Sequence, residues 1–182
     1  IEHVREAVAL LDSYLWDRGY AKAIMKSTPD LFTGIRPDLQ EYCLYAAGYA
    51  CWEELNPYID LSACPEDVLS GFCLDRRQGY RHGERKGLAF RKLEDEELES
   101  LYALLVENLK KHDLSPVHSL AELLDFRASR LRDETGAYGV FLEEEMIASG
   151  FVFRFGTHAF HTQYLSQDQS KLKLYPMNYL VG

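Results

Sequence analysis

His161 and Gln163 stand two apart in the run HTQYL, the spacing that puts two side chains on one face of a β-strand. An imidazole takes or returns a proton near neutral pH, and a primary amide holds a carbonyl oxygen through its N–H. Upstream, Gly156-Thr157 suits a two-residue type II′ hairpin with its glycine first. That turn pairs Phe155 with His158, Phe153 with Phe160 and Phe151 with Thr162 on a core face. The opposite face then pairs Val152 with His161, Gly150 with Gln163 and Arg154 with Ala159, so the glycine leaves room for a ligand beside the two polar groups. His161 and Gln163 are the expected catalytic residues, the first as base and the second as a group orienting a carbonyl. A half-exposed strand with ordinary polar residues is the alternative.

A second concentration of chemistry lies between Arg76 and Gly87. Arg76, Arg77, Arg81, Arg85 and Lys86 stand against a lone Glu84, in a chain whose net charge is -9. Guanidinium groups are bidentate donors to phosphate, and Tyr80 offers a stacking surface, so Arg76, Arg77 and Arg81 are the expected anion-binding residues. A solvated helix end is the alternative. Gly79, Gly83 and Gly87 punctuate the segment without the spacing of a nucleotide fingerprint. Glu143, Glu144 and Glu145 look like paired carboxylates but fall in an expected hairpin turn, where charge is usually solvated. The chain has no P-loop signature, no GxGxxG after a strand, no HExxH and no GxSxG, which removes P-loop NTPases and zinc proteases.

Elements must hold these groups in place. Val4, Ala7, Val8, Leu11, Tyr14 and Leu15 recur at helical spacing, and Gly19 follows as a C-cap, which predicts a helix over residues 2 to 17. YAKAIMK reads as a short strand stopped by the turn residues of STPD. Pro37 opens a second helix in which Leu39, Tyr42, Cys43, Ala46 and Ala47 share a face. CWEELNPYIDLS reads as one or two short strands broken around Asn56 and Pro57. Ser62, Pro65, Glu66 and Asp67 start a helix that runs on into the basic segment. GLAFRKL alternates as a strand through Leu88, Phe90 and Leu93. Asp95 then caps a helix striped by Leu98, Leu101, Tyr102, Leu105, Val106 and Leu109. Ser119 and Glu122 form the capping box of a further helix to about Leu131. Three strands follow over residues 137 to 165, and Pro176 suits the first position of a last helix.

With 182 residues, 47% of them hydrophobic and 13% aromatic, the chain buries a sizeable core, which excludes disordered, collagen-like and low-complexity classes. No apolar run reaches the roughly 18 residues of a membrane span. Cys43, Cys51, Cys64 and Cys73 lack CxxC spacing, so they read as small core residues with reduced thiols in a cytoplasm, and no metal is expected. The acidic balance opposes broad nucleic-acid affinity but leaves room for one local contact. The chain opens on Ile1 and closes on Gly182 just past a helix start, so it reads as a piece of a longer protein.

The stretch from NPYIDLS through RRQGYRHGERKGLAFRKL, with HTQYL followed by PMNYL, resembles the FemAB-like branch of the GNAT acyltransferase superfamily over about residues 57 to 182. The resemblance implies a mixed α/β (α+β), GNAT-like fold built from tandem units. Residues 1–56 would be the rear half of a first unit, 57–86 a connecting strand and basic helix, and 87–182 the truncated front of a second. Proteins of this type transfer an acyl or aminoacyl group to an amine. The implied activity is N-acyl transfer from acyl-CoA or aminoacyl-tRNA to an amine of a sugar, amino acid or peptide, in a bacterial cytoplasm. tRNA and a second copy in a homodimer stay open as partners. Where acetyl-CoA enzymes carry a Q/R-x-x-G-x-G/A loop, this chain has SKLKLYPMN. Lys171, Lys173, Pro176, Met177 and Asn178 are the expected donor-binding residues there, through positive charge and the free N–H groups of a helix start. A non-catalytic ligand-binding domain of the same fold and an RNA-binding module using the basic segment are the competing readings.

Overall fold

Helical periodicity in the first 17 residues produces α1 (Glu2–Asp17), and Gly19 at φ 78 follows its end, the left-handed conformation that a glycine adopts without strain. The computed structural model describes residues 1–55, 57–63, 67–157 and 159–182, and the chain divides into two units, Ile1–Ile59 and Asp60–Gly182. In the first unit α1 packs on α3 (Asp38–Ala46) through buried Val8, Cys43 and Leu44, with Val4, Met25 and Tyr49 against them. The Tyr49 hydroxyl donates to Asp12, closing this small core on its polar side. STPD starts a short helix, α2 (Asp30–Thr33), instead of a turn, because Pro29 serves as its N-cap and Asp30 begins its first turn. The strands expected at 20–26 and 51–62 do not form among the described residues, and Asn56 lies outside them. An extended segment becomes a strand only by pairing, and this unit offers no described strand to pair with.

In the second unit the expected helix from Ser62 into the basic segment is broken. Pro65 and Glu66 lie outside the described residues. Asp67 caps a 3-10 turn over Val68–Gly71, Phe72 turns extended, and α4 (Leu74–Arg85) starts anew after Cys73. The rest runs β1 (Leu88–Lys92), α5 (Leu98–Lys110), α6 (Leu120–Asp125), β2 (Thr135–Leu142), β3 (Glu145–Phe155), β4 (Ala159–Gln167) and α7 (Pro176–Val181). The four strands form one antiparallel sheet in the order β1-β2-β3-β4. The mixed α/β class and the strand-helix-helix-three-strand order read from the sequence are therefore present.

Both faces of the sheet are covered. Leu98 and Leu101 of α5, with Leu123 and Phe126, pack on Leu93, Ala137, Phe141 and Phe151. On the other face Leu88, Val140, Ile147 and Ala148 are buried under Leu174, Tyr179 and Leu180. Two covered faces explain why β2 and β3 read as nearly continuous apolar runs. The cap ahead of α5 is one residue earlier than expected. Glu94, not Asp95, forms a capping box with Glu97 over a 3-10 turn, and Asp95 instead accepts from Arg127 Nε. Ser119 and Glu122 form the second capping box as read, and the helix it starts finishes in a π-helical turn over Phe126–Arg130. No helix of the described residues is long and apolar enough to cross a membrane.

Candidate functional site

The β3–β4 hairpin departs from its expected register. Phe155 pairs with Ala159, Arg154 with Phe160, Phe153 with His161 and Val152 with Thr162. The connection is one residue longer than a two-residue turn, with Gly156 at φ 58, so each β4 residue meets the neighbour of its expected partner. His158, expected beside Phe155, lies outside the described residues. A second shift falls between Phe151 and Val152, because Phe151 pairs with Tyr164 and Gln163 becomes the extra residue of a β-bulge. His161 and Tyr164 are three apart in sequence, yet they oppose Phe153 and Phe151, which are two apart. The bulge thus puts both on the face covered by α5 and α6, the reverse of the face assigned to His161 from the sequence. Gly150 opposes Leu165, and a Cβ on it would lie 3.3 Å from Leu165 Cδ2 and 3.6 Å from Leu180 Cδ2. Leucines fill the room expected there for a ligand. His161 is exposed and Gln163 half-buried, both on the outermost of the four strands.

Sequence reasoning passed over two residues that the sheet brings to the same place. His118 is the last loop residue before the Ser119 cap of α6. Its backbone N–H donates to the Tyr164 hydroxyl at 3.0 Å, and its Nδ1 lies 2.8 Å from the same oxygen. The imidazole stands edge-on to Phe126, Phe153 and Tyr164, with centroids 5.4, 6.5 and 5.9 Å away. Nε2 has no partner among the described residues. One ring nitrogen fixed and the other open is the arrangement of an imidazole that moves protons. The sequence signal was a histidine directly ahead of a capping box, together with the tyrosine of HTQYL. Beside it the Glu122 carboxyl is held below its ordinary range by the backbone N–H of Ser119, with the Ser119 hydroxyl second.

The basic segment is a packing helix as much as a charged one. On α4, Gly79 and Gly83 face α7: a Cβ at 79 would run into the Asn178 amide, and one at 83 would lie 2.9 Å from Leu88 Cδ1 and 3.2 Å from Tyr179 Cδ2. Tyr80 stacks on Tyr179 with centroids 4.8 Å apart, and His82 meets Tyr175 edge-on at 5.6 Å. Arg76 Nη1 donates to Asn178 Oδ1 at 2.9 Å, and the Arg77 Nε and Asn178 Nδ2 atoms are buried with no partner among the described residues. The expected anion-binding trio is therefore divided: Arg76 is tied to α7, Arg77 is half-buried and Arg81 is exposed. Asp75, Gln78, His82, Arg85 and Tyr175 line a concavity of about 390 Å³ beside them.

The five expected donor-binding residues have different surroundings. Lys171 Nζ pairs with Glu145 at 2.8 Å, and that hydrogen bond raises its pKa. Pro176 and Asn178 are buried, Met177 is half-buried and Lys173 is exposed. Lys171 and the Asn178 side-chain oxygen already have partners. Among the described residues no three or more His, Cys, Asp or Glu side chains gather as a metal site would require, and Cys43, Cys51 and Cys73 are free thiols.

No family model matches the chain, and no curated protein matches it. Its structure is similar to a solved structure described as the crystal structure of FemX, with a TM-score of 0.60 at 13% sequence identity. That match covers 96% of this chain and 63% of the other, so the chain spans less than two thirds of the length of its structural relative. At such low identity the likeness is one of fold, and the fold is FemAB-like, of mixed α/β class.

Proposed function

We propose that this chain is part of an N-acyltransferase that moves an acyl or aminoacyl group onto an amine of a sugar, amino acid or peptide. The observation that supports it is the FemAB-like fold with His118, His161, Gln163 and Tyr164 gathered along the outermost strand of its sheet. Attack of an amine on an ester or thioester carbonyl requires aligned reactants, a proton acceptor and a donor for the developing oxyanion. His161 and Gln163 contact the substrates in this reading, with the Gln163 amide on the acyl carbonyl. Acyl-CoA and aminoacyl-tRNA are the two donor classes, both polyanionic. Exposed Arg81, Arg85 and Lys173 are the cations that meet them, a local attraction in a chain of net charge -9.

The test is transfer by the full-length protein from each donor class, with amine acceptors and mass-spectrometric detection of the amide. One donor class yields product, and added salt or Arg81→Ala weakens use of that donor. Tight donor binding without any amide product points instead to the non-catalytic binding domain, a reading favoured by the packing roles of Arg76 and Asn178.

A further inference from the structure

Resting on the transferase reading above, we propose that His118 is the base that removes the proton from the attacking amine, and that Tyr164 selects its tautomer. His161 is exposed on the outermost strand, whereas His118 is half-buried among three aromatic rings and anchored twice to one oxygen, through its backbone N–H and through Nδ1. A phenolic oxygen has two lone pairs. With the backbone N–H on one and Nδ1–H on the other, the Nε2 lone pair is left unused, which is the form a base needs.

The ring stands edge-on to Phe126, Phe153 and Tyr164. The ionisable groups that face it are Tyr164 and His161 from β4, the latter across Phe153, and Glu122 from α6, whose charge interacts with His118. The bulge at Gln163 brings Tyr164 onto the helix-covered face, so a strand irregularity is what supplies the orienting hydroxyl. In the step itself the amine nitrogen bonds to the acyl carbon while its proton passes to Nε2. The bond from that carbon to the ester oxygen or thioester sulfur breaks, the leaving atom takes the electron pair, and Nε2 returns the proton to it. Amine and donor become amide and alcohol or thiol with no other reactant.

Two readouts on the full-length protein test this. Nitrogen-15 NMR of the histidine rings should show His118 protonated at Nδ1, and Tyr164→Phe should return it to the Nε2–H form. His118→Asn keeps a donor amide near the Nδ1 position but cannot accept the proton, so kcat should fall by about 10²-fold with KM little changed, and the acid limb of the pH–rate profile should disappear. Tyr164→Phe should lower kcat less while leaving KM near that of the wild type, and should lower the thermal midpoint because the His118 backbone N–H loses its acceptor. Wild-type kcat in His118→Asn, or an Nε2–H tautomer in the unaltered protein, overturns the assignment. If the unaltered protein makes no amide from either donor class, the transferase reading fails and the base role with it, while the NMR result separately reports whether the His118–Tyr164 pairing exists.

Discussion

Arg76 Nη1 reaches Asn178 Oδ1 at 2.9 Å across 102 residues of chain, tying the first turn of α4 to α7. The bond fixes which way the buried amide points and leaves its nitrogen against Gly79. Arg76→Ala strands the Asn178 oxygen without its donor, a cost of about 1–3 kcal/mol. The expected outcome is a lower urea midpoint for Arg76→Ala and an unchanged one for Arg81→Ala, whose side chain is exposed. Equal midpoints for the two variants would show that Arg76 contributes only charge.

Gly79→Ala sets two effects against each other. Alanine is favoured over glycine inside a helix by about 1 kcal/mol. At this position its Cβ meets the Asn178 amide and comes within 3.1 Å of Tyr175 Cδ1, and overpacking of that kind costs about 1–3 kcal/mol. Gly79→Ala should therefore lower the thermal midpoint, and Asn178→Ala in the same chain should recover part of the loss, since the two sites share one contact. Strictly additive midpoints would break the prediction.

Acid should loosen the start of α5. The Arg91 guanidinium holds the Glu97 carboxyl down to about 2 from an ordinary 4.5, with the Glu94 backbone N–H adding to it. A depressed carboxylate stabilises the fold above its unfolded pKa, so this contribution is complete above about 4.5 and is lost as pH falls toward about 2. Urea midpoints measured down that range should decline more steeply for the wild type than for Glu97→Gln, which lacks the titrating group. Parallel curves would remove Glu97 as the source.

Base acts on the first unit. The hydrogen bond that Tyr49 gives Asp12 raises the phenol above its ordinary 10.0, with burial and the Asp12 charge pushing the same way. A raised pKa means the neutral form stabilises the fold, so the benefit is present below 10.0 and disappears as pH climbs through the raised value. Alkaline unfolding followed by far-ultraviolet circular dichroism should show this limb in the wild type and lose it in Tyr49→Phe. A limb that persists in Tyr49→Phe would assign it to another tyrosine.

Elements whose signals lie within a few residues of themselves were legible. The Ser119–Glu122 box, the leucine stripe of α5, the left-handed Gly19 and Pro176 at the first position of α7 all act through the next turn of backbone, so neighbours in sequence suffice to specify them. The apolar runs of β2, β3 and β4 were legible for the same reason, and with them the order of elements and the class of fold. Pairing is a different kind of information. YAKAIMK has the composition of a strand but no described partner in its unit, and the β3–β4 register turned on one additional residue in the connection and one bulged residue at Gln163. Slipping a strand by one residue exchanges its faces, so His161 went to the side opposite the one its spacing suggested. His118 with Tyr164 at 46 residues' separation and Arg76 with Asn178 at 102 are joined by hydrogen bonds that no local pattern encodes. Local chain chemistry determined the helices, the strands and their sequence; which side chains meet was decided by tertiary packing, because a contact between distant residues exists only after the register and the bulge have placed both ends.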